Sequence, residues 1–222
     1  MKEQRALLAK VKALLPAKVK EVSLVGDGEF GNPVVLKELE SWGWKYALRQ
    51  SGRMCYQKET SSDKGGWHHL RSLVARGEKA RYHTLLLSKT HAFATGLVTQ
   101  WDTKDATPWL LATNYPTTQS CLKAYRLRMW IEEMFGDMKQ HGFNLEASCL
   151  RHTDRLDRLT LAVCLLYLWL LAFGSHVIKT GQRKFVDRTS RRDLSLFRIG
   201  WDMVHRRLAN EQSLTIFLIP HS

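Results

Sequence analysis

Four side chains of different chemistry recur at helical spacing late in the chain. Tyr125, Arg128, Glu132 and Lys139 stand at offsets 0, 3, 7 and 14. With 3.6 residues per turn, those offsets return to nearly one face of a helix. A phenol, a guanidinium, a carboxylate and an ammonium would then share a stripe where a purely structural helix carries apolar residues. The carboxylate suits a hard divalent cation such as Mg²⁺ or Mn²⁺. The two cations suit the phosphates of a nucleic-acid backbone. The same stripe also reads as a solvated helix face laced with ion pairs. Far upstream, Asp27 closes a short apolar run in VSLVGDGEFGNP and supplies a second acidic candidate.

The elements that must position these groups follow from local pattern. Residues 3–15 carry apolar side chains at 7, 8, 11, 14 and 15, a helical spacing closed by Pro16. The run 22–25 predicts a buried strand ending in the acidic turn that holds Asp27. Helical spacing resumes over 33–42 with Pro33 in the first turn, and 44–49 alternates as a second strand. Helix, strand, helix, strand is the rhythm of a layered α/β sheet. From 51 to 106 the glycines and the Thr- and aromatic-rich runs WHHLRSLV, RYHTLLLS and ATGLVTQWD predict strands of an antiparallel β insert. PWLLATN at 108–114 gives one more strand. A long helix is expected over 118–142, capped by Thr117 or Thr118.

Residues 159–178 contain no Asp, Glu, Lys or Arg and are long enough to cross a membrane. Thr160, Ser175 and His176 lie inside the segment. Arg155 and Arg158 before it and Lys179, Arg183 and Lys184 after it leave no charge asymmetry to orient it. A buried central helix is the competing reading. Residues 179–222 form a basic tail.

Composition narrows the function classes. The 222 residues carry 34 Lys and Arg against 21 Asp and Glu, a formal net charge of +13, with a pI near 9.8. A globular chain that basic meets a polyanion, either nucleic acid or an anionic membrane surface. Cys55, Cys121, Cys149 and Cys164 form no C-x-x-C pair, which argues against a zinc ribbon. Residues 1–20 hold no uninterrupted apolar core of a signal peptide, so reduced thiols in a cytoplasm are expected.

The spacing Y-x₂-R-x₃-E-x₆-K, present as YRLRMWIEEMFGDMK, resembles the YREK signature of IS4-type DDE transposases. LVGDGEFG at 24–31 resembles the strand and turn that hold the family's second catalytic Asp. PWLLATN resembles the strand before its YREK helix, and RRDLSLFRIG resembles a family tail. The resemblance implies an RNase H-like α/β catalytic domain interrupted by a β insert, with a helical C-terminal part. It divides the chain into a partial sheet with the second Asp (1–50), the insert (51–106), the remainder of the domain with the YREK helix and the buried helix (107–178) and the basic tail (179–222).

By resemblance, Asp27 and Glu132 are catalytic, metal-binding carboxylates, and Tyr125, Arg128 and Lys139 contact transposon-end DNA. Glu133, about 100° off the stripe, is structural, and Glu29 is surface. The implied chemistry is strand cleavage and transfer at a two-metal Mg²⁺ or Mn²⁺ site. The family's first Asp has no counterpart upstream of Asp27, so the resemblance implies a truncated chain that lacks its first strands and is inactive alone. Trp67, Trp101 and Trp109 either stack on an unpaired base or pack the insert's core. The implied partners are transposon-end and target DNA, with a homodimer in a synaptic complex, no membrane and no small-molecule cofactor. The implied location is the bacterial cytoplasm, at the nucleoid. The alternative is a non-catalytic basic module that binds DNA or is anchored to a membrane.

Overall fold

The computed structural model describes residues 2–58, 66–138, 142–216 and 218. The chain forms two compact units, Met1–Ile131 and Glu132–Ser222.

The first unit is a mixed sheet with helices. Its elements are α1 (Lys2–Leu14), β1 (Ser23–Gly26), α2 (Pro33–Ser41), β2 (Lys45–Arg49), β3 (Cys55–Lys58), β4 (His68–His69), β5 (Lys79–Leu87), β6 (Phe93–Gln100), β7 (Trp109–Thr113) and α3 (Thr118–Arg126). The helix–strand–helix–strand rhythm expected at the start is therefore present. α2 starts where the sequence provides for it. The Asn32 side chain accepts the Val34 N–H at 2.9 Å, and Pro33 occupies the first turn, where its missing N–H costs nothing.

The seven strands make one sheet in the order β1-β2-β7-β6-β5-β3-β4. β1 and β2 are parallel, with Gly26 opposite Leu48, and β2 runs antiparallel to β7, with Arg49 opposite Leu111. The strands of 51–106 were expected as an insert. Their hydrogen bonds continue the same sheet, through β7 to β6 and from β6 to β5. WHHLRSLV is a strand only at His68–His69 and then turns into a 3₁₀ segment, Leu70–Leu73. Leu70 and Val74, at either end of that turn, are both buried.

Strand alternation sorts the core into two layers. Tyr46, Leu48, Leu97, Leu110 and Ala112 pack with Leu8 of α1 and Val35, Leu36 and Leu39 of α2. Ala47, Val98 and Leu111, with Val25 partly buried beside them, pack with Cys121, Leu122 and Tyr125 of α3. Where β7 ends, the Asn114 side chain continues the ladder: its Oδ1 accepts the Tyr46 N–H at 3.0 Å and its Nδ2 donates to the Trp44 carbonyl at 2.9 Å.

Thr117 caps α3 by accepting the Ser120 N–H at 3.1 Å, as one of the two expected caps. The helix expected over 118–142 is not continuous. It breaks at Leu127, where three-residue bonds from Leu127 N to Ala124 O and from Trp130 N to Leu127 O replace four-residue ones, both at 3.1 Å. A second helix, α4 (Arg128–Gly136), follows and widens to a π turn at 137–138.

The second unit is helical. α5 (Thr153–Lys179) packs against α6 (Leu196–Ala209). The helices meet at Gly174 and Gly200. A Cβ on Gly174 would lie 2.2 Å from the Leu196 carbonyl oxygen, and one on Gly200 2.1 Å from that of Leu170, so only glycine permits this approach. The apolar segment 159–178 falls inside α5. It was expected to be buried, but only one side is: Val163, Tyr167, Leu170, Phe173 and Val177 face inward, while Leu161 remains 62% and Leu168 49% exposed. By length and composition α5 is also long enough to cross a membrane. The tail read as basic contains α6, capped by Ser195.

Candidate functional site

Asp27 follows the last residue of β1. Its Oδ1 accepts the Glu29 N–H at 3.1 Å, an Asx turn that fixes the carboxylate on an exposed tip. The turn returns against the end of β2. Here Gly31 is required, because a Cβ would stand 2.5 Å from the Arg49 carbonyl oxygen and 2.6 Å from the Gln50 side-chain nitrogen. The parallel register carries Asp27 to the level of Arg49. The Arg49 Nη2 donates to Thr107 Oγ1 at 2.9 Å, just before β7 begins.

α3 packs across β1 and β2, and the Tyr125 ring in its last turn reaches the start of β7. The rings of Trp109 and Tyr125 meet edge to face at 5.1 Å. The Arg128 guanidinium lies 5.7 Å from the Tyr125 ring centre. Asp27, Arg49, Trp109, Tyr125 and Arg128 thus gather at one end of the sheet. Of these, Arg49 was not singled out in the sequence. Its signal would have been its place as the last residue of the strand beside Asp27.

Tyr125 is only 3% exposed, and its hydroxyl is buried with no hydrogen-bond partner among the described residues. It touches Trp109 and supports Arg128; its phenol does not reach the surface. Glu132 lies one turn beyond Arg128 on α4, exposed and in the second unit. The break at Leu127 separates Tyr125 from the helix that carries Arg128 and Glu132, so the single stripe is two helical pieces. Lys139 lies outside the described residues.

Trp101 is 8% exposed and sandwiched by cations, with Arg71 at 3.7 Å and Arg76 at 5.3 Å from its ring centre. It packs the core and is closed to a stacking base. Trp109 is half-buried against Tyr125. Glu133 sits near Tyr167 in the second unit. The Tyr167 hydroxyl is pushed up to about 12, first by burial and then by the negative fields of Asp137 and Glu133. A divalent metal needs several hard ligands together. Among the described residues, no three His, Cys, Asp or Glu side chains gather into such a site.

A family model described as a transposase DDE domain matches residues 2–169, and the chain belongs to that family. The mixed α/β unit with its seven-stranded sheet is consistent with the RNase H-like fold of DDE transposases. No curated protein matches the chain.

Proposed function

We propose that the chain acts on DNA as an IS4-type transposase, binding transposon ends through the sheet end that carries Asp27 and Arg128. The supporting observation is the convergence of Asp27, Arg49, Tyr125 and Arg128 at one end of the first unit, within the residues the family model matches. Arg128 offers a planar fork that grips a phosphate, and the buried Tyr125 ring holds that fork in place. Asp27, pinned by its Asx turn, and Glu132, on α4, are the carboxylates assigned to the reacting phosphodiester. Members of this class draw the neutralising charge for phosphoryl transfer from divalent cations.

The described donor set is short of a metal site. An alternative reading is a chain that binds DNA without cutting it, and its net charge of +13 supports the binding half. Two copies bridging two ends, at the bacterial nucleoid, complete the proposal.

The experiment is a paired assay with purified chain, duplex DNA carrying an element end, and Mg²⁺ or Mn²⁺. Binding should weaken as salt rises, with a log–log slope of about −0.9 per phosphate contacted. Arg128→Ala should shift the binding curve, and the DNA should remain uncut. Metal-dependent cutting lost in Glu132→Ala would refute the non-cutting reading and support the carboxylate assignment. Cutting that survives Glu132→Ala would remove Glu132 from the site. A flat salt response would remove the DNA partner.

A further inference from the structure

The second unit sorts its charges in a way the catalytic reading does not use. Three carboxylates on or near α6 each hold an arginine. Arg183 Nε donates to the nearly inaccessible Asp187 at 2.6 Å, Arg191 pairs with Asp193 at 2.9 Å, and Arg198 pairs with Asp202 at 3.0 Å. Arg207 is also committed, to Gln182 at 3.1 Å and the Ser213 carbonyl at 3.2 Å.

Lys184 and Arg206 are different. Both are exposed, and no carboxylate pairs with either among the described residues. They converge on one ring. Phe185 is 49% exposed, with the Lys184 ammonium 5.4 Å and the Arg206 guanidinium 5.3 Å from its centre. Here it holds two long cationic side chains side by side. Each such contact holds its cation over the ring, and it reduces the side-chain ordering that binding would otherwise require.

We infer that Lys184, Phe185 and Arg206 form a preorganised phosphate-gripping surface that contacts the DNA backbone outside the Asp27 and Arg128 region. Asp187, Asp193 and Asp202 are each matched by another arginine, so none of the three offsets the charge of this pair. The charges grip phosphates and read no sequence, so the surface adds affinity and leaves specificity elsewhere. This inference rests on the DNA-acting reading above.

The test uses the full 222-residue chain and a labelled 30-base-pair duplex, titrated by anisotropy across a salt series. Lys184→Ala combined with Arg206→Ala should make the log–log slope shallower by about 1 to 2 and weaken binding on the order of tenfold or more at low salt. Phe185→Ala keeps both charges, so it should leave the slope unchanged and weaken binding by a smaller factor, roughly threefold. Lys104→Ala combined with Lys89→Ala, two exposed cations of the first unit, is the charge-matched control. Circular dichroism melts check that each variant folds.

If the unaltered chain shows no salt-dependent binding, the DNA reading itself fails. If the unaltered chain binds and the Lys184/Arg206 variant matches it in slope and affinity, this surface alone is refuted. Equal losses in the charge-matched control would also refute it, because net charge would then explain the effect. A variant that loses binding only to vesicles of phosphatidylserine and phosphatidylcholine, with DNA binding intact, would reassign the surface to a membrane and overturn the inference.

Discussion

The two carboxylates assigned to the site are supported in opposite ways. Asp27 is built onto a sheet. Its strand is registered residue for residue against β2, its side chain closes its own Asx turn, and the returning loop presses Gly31 against the Arg49 carbonyl. Glu132 rides on α4, a helix with no buried residue, whose neighbours Trp130 and Phe135 are 70% and 51% exposed. The first carboxylate is held by the unit's core; the second is held by a helix that buries none of its side chains. Backbone anchored by many buried contacts opens only with the whole unit, whereas sparsely packed elements move at lower cost. The asymmetry places rigidity on the sheet and adaptability on the helix.

Gly31→Val should produce the largest effect. The new Cβ meets backbone oxygen, which cannot swing away, so the loop or β2 must shift. Overpacking of this kind costs about 3 kcal/mol. The expected readout is a lowered denaturation midpoint, with DNA affinity falling as the Asp27 turn is displaced. An unchanged midpoint would mean the turn yields freely and would erase the contrast with α4.

Tyr46→Phe comes next. Tyr46 is opposite Leu24 in β1, and its buried hydroxyl joins the Glu40 carboxylate and the Thr95 hydroxyl, both at 2.8 Å. Burial, more than either neighbour, raises the pKa of that hydroxyl well above its ordinary value. Deleting it takes this partner from the buried Thr95 hydroxyl, while the exposed Glu40 turns to water, and should cost about 1–2 kcal/mol. Chemical denaturation measures the loss.

On the other side of the comparison, Trp130→Ser should change stability by less than about 0.5 kcal/mol, the usual range for a surface site. A loss above about 1 kcal/mol would show that α4 is packed in solution and that the two carboxylates are equally supported.

How much of this could be read in the sequence depends on how local the cause was. The α2 cap, the Asp27 turn and β7 follow from neighbouring residues: Asn32 before Pro33, Asp27 two residues before Glu29, an apolar run ending at Asn114. The single sheet did not, because the pairing of β2 with β7, Ala47 opposite Thr113, is a long-range event that residue types along either strand do not announce. The break at Leu127 was hidden as well, since a few three-residue bonds leave no mark in residue type. α6 was legible in principle. Ser195 caps it, and Phe197, Gly200, Met203 and Val204 follow helical spacing, but the arginines around them drew attention to charge. The site residue that escaped notice, Arg49, gains its meaning only from the parallel register that brings it beside Asp27.

The smallest expected change carries the sharpest discrimination. Tyr125 was assigned to DNA contact by resemblance, yet its hydroxyl is buried and has no hydrogen-bond partner among the described residues. A buried hydroxyl without a partner has lost its water and gained nothing, so removing it is neutral or mildly stabilising. Tyr125→Phe keeps the ring against Trp109 and beneath Arg128. Stability should therefore stay within about 0.5 kcal/mol or rise, and DNA affinity should match the unaltered chain. Tyr125→Ala removes the ring and should weaken both. If Tyr125→Phe instead loses affinity while its melting temperature holds, the phenol reaches DNA in the complex, and the end of α3 must open to expose it. In that case the adaptability assigned to α4 would extend back through Leu127 to the sheet itself.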